Sequence, residues 1–412
     1  MNIFTFIIIT ALVLEFFLNT IADVLNLKAM RHKVPIALAG VYKPDEYRKS
    51  QEYTQSRTRF GFVTSSFGLL IILSFWFTGG FNFLDQIIRS WGFGPIVNGL
   101  IYIGVLIIAY ELLTFPFSIY TTFVIEERFG FNRTTPRIFI TDRLKGMALV
   151  VLLGGLLLAG ILVLFEHAGD FAWLFCWLVI TVYMVIVQYI APVWIMPIFN
   201  KFTPMEPGEL KDAIQSYAGS VGYEVRDIFV MDGSKRSTKA NAFFTGFGRT
   251  RRIALFDTLI NKHTMPELVA ILAHEIGHYK KKHVIQGMVI GIVHTGLIFY
   301  LLSVLLDSLG LYQAFYIEQS SIYTGLLFFG LLYAPVEMVL SLLLLILSRR
   351  NEYEADRFAV QTINERVSLE DALKKLSADN LSNLTPHPFY VVLNYSHPTL
   401  LQRIQAIQKY KT

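Results

Sequence analysis

His274-Glu275-Ile276-Gly277-His278 is the segment whose residue types and spacing best suit chemistry. Positions four apart share a helix face, so His274 and His278 can offer two imidazoles to one metal ion, with Glu275 beside its open position. Zinc held this way lowers the pKa of a bound water to near 7, and the adjacent carboxylate can take its proton as the water attacks a peptide carbonyl. Gly277 leaves room for a second backbone or a substrate to come close. The competing reading is a polar helix end at a membrane surface, so further residues must decide.

A catalytic zinc of this type takes a third protein ligand. Glu352, within the run Arg349-Arg350-Asn351-Glu352-Tyr353-Glu354-Ala355-Asp356, is the candidate. Asp356, four residues on, can orient a ligand histidine through its ring N–H, while Glu354 is expected to point elsewhere. The competing role for Glu352 alone is a helix-end charge paired to Arg349 or Arg350. His263, His283 and His294 are expected to be structural or surface residues, since three ligands suffice. Cys176 is the single cysteine and lies in an apolar run, which excludes an internal disulfide and a cysteine-based zinc site.

The elements that must position these residues are largely membrane helices. Of the 412 residues 54% are hydrophobic and 16% charged, with mean hydropathy +0.49, which excludes a soluble multidomain protein. The formal charge of +5 is not gathered into a basic patch with interleaved aromatics, so no nucleic-acid partner is expected. Seven apolar stretches are long enough to span a bilayer, near 3–25, 62–88, 97–120, 144–166, 170–196, 284–308 and 322–348. Each is expected to be helical, because lipid leaves backbone groups no other partner. The first outlasts a signal-peptide core and is taken as an anchor.

Lys and Arg set the orientation. Segments 26–61, 121–145, 197–283 and the tail from Arg349 hold 35 of the 36, and only Arg89 lies in an alternate loop. This alternation puts the N-terminus outside and the C-terminus in the cytoplasm. Lys280, Lys281 and Lys282 place the His-Glu-x-x-His helix at the water interface, and spans six and seven return Glu352 to the level of His278. The expected organisation is helices 1–5 over 1–196, a catalytic region over 197–283, helices 6–7 over 284–348 and a C-terminal region over 349–412. Within the catalytic region a helix is expected at Glu209–Val221 after a loop ending near Pro204, Pro207 and Gly208. Strands are expected at Asp227–Met231, Ala240–Thr245 and Arg252–Phe256, with a turn at Gly246-Phe247-Gly248. Asp257 or Thr258 suits the cap of a short helix, and Met265–Lys282 has helical spacing. Glu15, Asp23, Glu111 and Glu337 interrupt apolar spans and must face a wet interior, pair between helices or sit near span ends.

Taken together, these residues resemble the integral-membrane CAAX prenyl protease family of the metalloprotease type. The resemblance rests on the two motifs above, Arg357-Phe358-Ala359, Asn241-Ala242-Phe243-Phe244, Arg252 to Leu259 and Tyr395-Ser396-His397-Pro398, and it covers the whole chain. It implies an all-α membrane protein, a seven-helix barrel around a water-filled intramembrane chamber, with a small α+β gluzincin-like zinc protease region on the cytoplasmic side. It also implies cleavage behind the prenylated cysteine of a C-terminal C-a-a-X sequence. By motif, His274, His278 and Glu352 would be zinc ligands and Glu275 the base. His397 would donate to the oxyanion, Arg403 would support that corner, and Asn241, Ala242, Phe243 and Phe244 would hold an extended substrate. Read without the family, His397 is a loop histidine and Asn241 a turn residue. Thr399 departs from the family pattern, where a second proline is frequent.

The implied partners are one Zn²⁺ per chain, a peptide or protein substrate that is prenylated, and membrane lipid, in a bacterial inner membrane or the endoplasmic reticulum, with a monomer expected. Two rivals stand beside this reading. One is a membrane quality-control metalloprotease with the same mechanism; the other is an ion-coordinating transporter or scaffold, which would not need Glu275 between two histidines.

Overall fold

The computed structural model describes residues 2–30, 34–225, 227–245, 252–363 and 367–410, with the backbone alone at 37 and 243–245. The expected Gly246-Phe247-Gly248 turn lies outside the described residues. Seven helices among the described residues are long and apolar enough to cross a membrane: Ile3–Ala29, Pro44–Phe77, Pro95–Glu126, Pro136–His167, Gly169–Phe199, His283–Leu305 and Ile322–Thr362. The chain is a multi-pass integral membrane protein.

The second span differs from its expected range. It begins at Pro44, with Asp45 and Glu46 in its first turn, and ends at Phe77. Gly79 then takes φ +75°, and a separate helix runs over Gly80–Ser90. A Cβ at Gly80 would lie 2.5 Å from the Phe75 ring, so the chain doubles back tightly here. Hydropathy sums the apolar residues on both sides of this turn and cannot separate them.

The end of the bundle reached by Trp76, Phe81 and Phe315 is closed by aromatic packing. Phe315 stacks on Phe328 at 3.9 Å and on Trp76 at 4.4 Å. The spans bury few residues: only 6–17% of those in each apolar window are buried. Helices around a solid core would bury more. The intramembrane carboxylates divide as expected between pairing and cavity. Glu111 pairs with Arg143 at 3.1 Å, Glu337 pairs with His294 at 3.3 Å, and Glu15 and Glu337 line a cavity of about 330 Å³ between the first and seventh spans.

The polar region carries strand β1 (Phe202–Pro204), helix α1 (Glu209–Ser220), strands β2 (Asp227–Met231), β3 (Ala242–Thr245) and β4 (Arg252–Phe256), and helices α2 (Asp257–Ile260) and α3 (Met265–Lys280). Beyond the seventh span come α4 (Val367–Asp379), α5 (Pro388–Asn394) and α6 (Leu400–Lys409). The sheet order is β1-β2-β4-β3, with β2 and β4 parallel and the outer pairs antiparallel. β1 was not expected: three residues ending in Pro204 carry no alternation signal, and proline is tolerated there because the strand is at an edge.

Burial explains how α3 is seated. Ile253 and Leu255 of β4, Leu268, Leu272, Ala273 and Ile276 of α3, Ala359 and Val360 of the seventh span and Ala372 of α4 form one core. The seventh span has 41 residues, about 60 Å of helix and twice the hydrocarbon thickness. It is therefore about five turns longer than a crossing needs, and Glu352 lies in its polar C-terminal part. Gly277 is a point of tight backbone approach between the two helices, since a Cβ there would lie 3.0 Å from both Cα and the carbonyl oxygen of Ala355. The room at Gly277 is filled by a second backbone. Gly277→Val is expected to force α3 and the seventh span apart, at a cost of about 1–3 kcal/mol. Thermal unfolding in detergent, with metal content measured alongside, checks this; wild-type values for both would refute the close-packing argument.

Candidate active site

His274 and His278 project from α3 toward the extension of the seventh span, where Glu352 is 4% exposed. Their Nε2 atoms are 3.2 Å apart. Glu352 Oε2 lies 3.4 Å from His274 Nε2, and Glu352 Oε1 lies 3.2 Å from His278 Nε2. A tetrahedral ion with bonds of 2.0–2.1 Å has ligand-to-ligand edges of about 3.3–3.4 Å, so the three groups have the spacing of a zinc site. Glu352 Oε2 is buried and accepts no hydrogen bond, an acceptor that a cation would satisfy. This is the only cluster of three such ligands among the described residues. Two imidazoles and one carboxylate leave a coordination position open, as catalytic sites require.

The surroundings hold the ligands in place. Asp356, fully buried, accepts from His274 Nδ1 at 2.8 Å. Arg403 of α6 clamps Asp356 with Nε and Nη2 at 2.8 and 2.6 Å, and its Nη1 comes within 3.5 Å of Glu352. That arrangement settles the tautomer of His274, with the proton on Nδ1 and the lone pair of Nε2 toward the cluster. Arg349 does not pair with Glu352 but donates to the carbonyl oxygens of Tyr395 and Val391, at 2.6 and 3.3 Å. It thereby ties the loop bearing His397 to the seventh span. Arg350 pairs with Glu354 at 3.1 Å.

His397 reaches the same cluster from the loop that precedes α6. Its Nε2 is 3.3 Å from Glu352 Oε1 and its Nδ1 is 2.8 Å from Ser396 Oγ. A serine hydroxyl donating to Nδ1 leaves Nε2 protonated, facing the site. Thr399 caps α6: its side chain accepts from Gln402 N, and the Gln402 side chain accepts from Thr399 N. This cap supports the helix that carries Arg403. Glu275 is half-buried beside the two histidines, and burial pushes its carboxyl above the ordinary glutamate range, with His274 and His278 pulling against that shift.

Asn241 and Ala242 lie where the sheet meets this site, with β3 against α3. The Asn241 carbonyl accepts from Phe256 N at 3.2 Å, and its side chain accepts from Ala242 N at 2.9 Å. β3, with Phe243 and Phe244, is the outermost strand, and its far edge pairs with no strand among the described residues.

Comparison with known proteins completes the picture. A family model for the N-terminal part of CAAX prenyl proteases, with five membrane helices, matches residues 23–201, and one for peptidase family M48 matches residues 204–411. The chain belongs to the integral-membrane CAAX prenyl protease family. CAAX prenyl protease 1 of Saccharomyces cerevisiae is 34% identical over 412 residues, covering 92% of this chain and 89% of its own length. The Homo sapiens CAAX prenyl protease 1 homolog is 30% identical over 92% of this chain and 89% of its own. A crystal structure of S. mikatae Ste24p superposes with a TM-score of 0.94 at 32% identity, over 99% of both chains. Membership of this family makes the chain a membrane metalloprotease acting on peptide or protein substrates, and removes the transporter and scaffold reading.

Two residues near the cluster make a contact the sequence reading did not foresee. His283 is structural rather than a surface group, and Glu354, outside the three groups at ligand spacing, meets it: His283 Nδ1 lies 3.0 Å from His278 Nδ1, and Glu354 Oε2 lies 3.4 Å from His283 Nε2. The only sequence signal was a third histidine five residues past His278, a spacing a continuous helix would turn aside.

Proposed function

We propose that this protease holds one Zn²⁺ per chain through His274, His278 and Glu352 and removes the C-terminal tripeptide of prenylated C-a-a-X proteins and peptides. The observation that carries this reading is the convergence of those three groups at tetrahedral spacing, with Glu275 beside them and His397 within 3.3 Å of Glu352. When bound, zinc would acidify a water and polarise the scissile carbonyl. Glu275, its carboxyl held above the usual range by burial, takes the proton of the attacking water and passes it to the leaving amine. His397 Nε2–H donates to the developing oxyanion. Asp356 and Arg403 keep the ring of His274 aimed. The edge of β3 that pairs with no strand among the described residues, from Asn241 through Ala242, Phe243 and Phe244, takes an extended substrate by strand addition.

The prenylated substrate is supported by the relatives, which carry the name CAAX prenyl protease 1. The sparse burial of the spans and the carboxylate-lined cavity support a hollow, wet interior, with membrane lipid around it. The division into 1–196, 197–283, 284–348 and 349–412 follows the same logic. Contacts between loops support a shared cytoplasmic side: Lys239 pairs with Glu126, Arg236 with Asp142, and Tyr42 donates to Ser377. By the basic-loop alternation the N-terminus is outside. The protein works as a monomer in this reading, without nucleic acid.

Detergent-purified protein should cleave a farnesylated C-a-a-X peptide, lose that activity on chelation and regain it with added zinc. Equal cleavage of the unprenylated twin would overturn the substrate assignment. Activity indifferent to chelation would overturn the metal assignment.

A further inference from the structure

The two ligand histidines are supported differently. His274 gives its Nδ1–H directly to a carboxylate, Asp356. His278 has no carboxylate at its Nδ1; it meets the ring nitrogen of His283 at 3.0 Å, and His283 in turn meets Glu354 at 3.4 Å, which Arg350 holds at 3.1 Å. Only one proton arrangement satisfies this chain. If Nε2 of His278 is to present a lone pair to the metal, its Nδ1 carries the proton, so His283 Nδ1 must accept. His283 then bears its own proton on Nε2, directed at the Glu354 carboxylate.

The backbone is bent to make this contact. Residues five apart on one continuous helix diverge by about 140°, so His283 would face away from His278. Lys282 instead takes φ +60° and ψ 26°, a left-handed conformation disfavoured for a lysine, between α3 and the sixth span. That break starts a new helix at His283 and returns its imidazole, 7% exposed, to His278. Glu354 comes from the seventh span, so the contact joins three elements at one ring.

Resting on the zinc reading above, we infer that His283, backed by Glu354, is a positioning residue for His278: it fixes the tautomer and ring plane through which His278 binds the metal. His283→Phe keeps an aromatic ring in the same space and removes the acceptor. His283→Asn restores an acceptor close to the position of Nδ1. Zinc affinity, measured by competition with a chromogenic chelator, is expected to fall about 10- to 100-fold in His283→Phe and to recover most of that loss in His283→Asn. The visible absorption of the cobalt-substituted protein should shift in the Phe variant and stay near wild type in the Asn variant. Wild-type zinc affinity and an unchanged cobalt spectrum in His283→Phe would overturn the inference. If that variant does not fold, Glu354→Ala decides: a partial loss of zinc affinity supports the relay, and no loss refutes it. Wild-type protein that binds no zinc would instead sink the reading of the site itself.

Discussion

Glu275→Gln is expected to keep one zinc per chain and lower peptide turnover by roughly 10²–10⁴-fold. The substitution preserves the size of the side chain and removes its ability to accept a proton. The three groups at ligand spacing are His274, His278 and Glu352, so no metal bond is lost. Burial holds the Glu275 carboxyl above its usual range, which suits a group that must take a proton and give it back. Metal analysis and single-turnover cleavage on the same preparation check this. Zinc that disappears with the substitution would make Glu275 a ligand, and near wild-type turnover would place the base elsewhere.

A larger loss is expected from Glu352→Ala. Its carboxylate lies within 3.4 Å of both histidine Nε2 atoms, and without it the metal position keeps only two imidazole ligands, with Arg403 nearby. Zinc should leave under dialysis conditions that wild type and Glu275→Gln survive, and turnover should fall to background. Glu352→Gln keeps an oxygen donor but no charge and should fall between. Full zinc occupancy in Glu352→Ala would return Glu352 to the role of a helix-end charge. The geometry argues against that role, because Arg349 is engaged with the carbonyls of Tyr395 and Val391 and Arg350 with Glu354.

Several parts of this protein were readable in one dimension. Apolar runs of bilayer length have one structural solution in lipid, so seven spans could be placed, while their polar continuations could not be bounded. The second span shows the limit: its true end lies at a turn set by Gly79 and Gly80, inside a run that hydropathy treats as continuous. The pair His274 and His278 is legible because helical periodicity is local, and Glu352 because a hairpin of two spans returns the chain to its starting level. β1 escaped notice because three residues carry too little pattern.

What only the tertiary structure decided are contacts that no periodicity encodes. The clamp of Arg403 on Asp356 joins residues 47 apart through the docking of a short terminal helix. Arg349 looked like a partner for Glu352 and proved to be an anchor for the loop of His397. His283 and Glu354 were set aside because three ligands sufficed, and their contact with His278 depends on the left-handed break at one residue, Lys282. Local sequence determines which face a side chain takes while the helix continues. Where the packing of three helices forces a left-handed residue, the direction of the next side chain is decided by the fold.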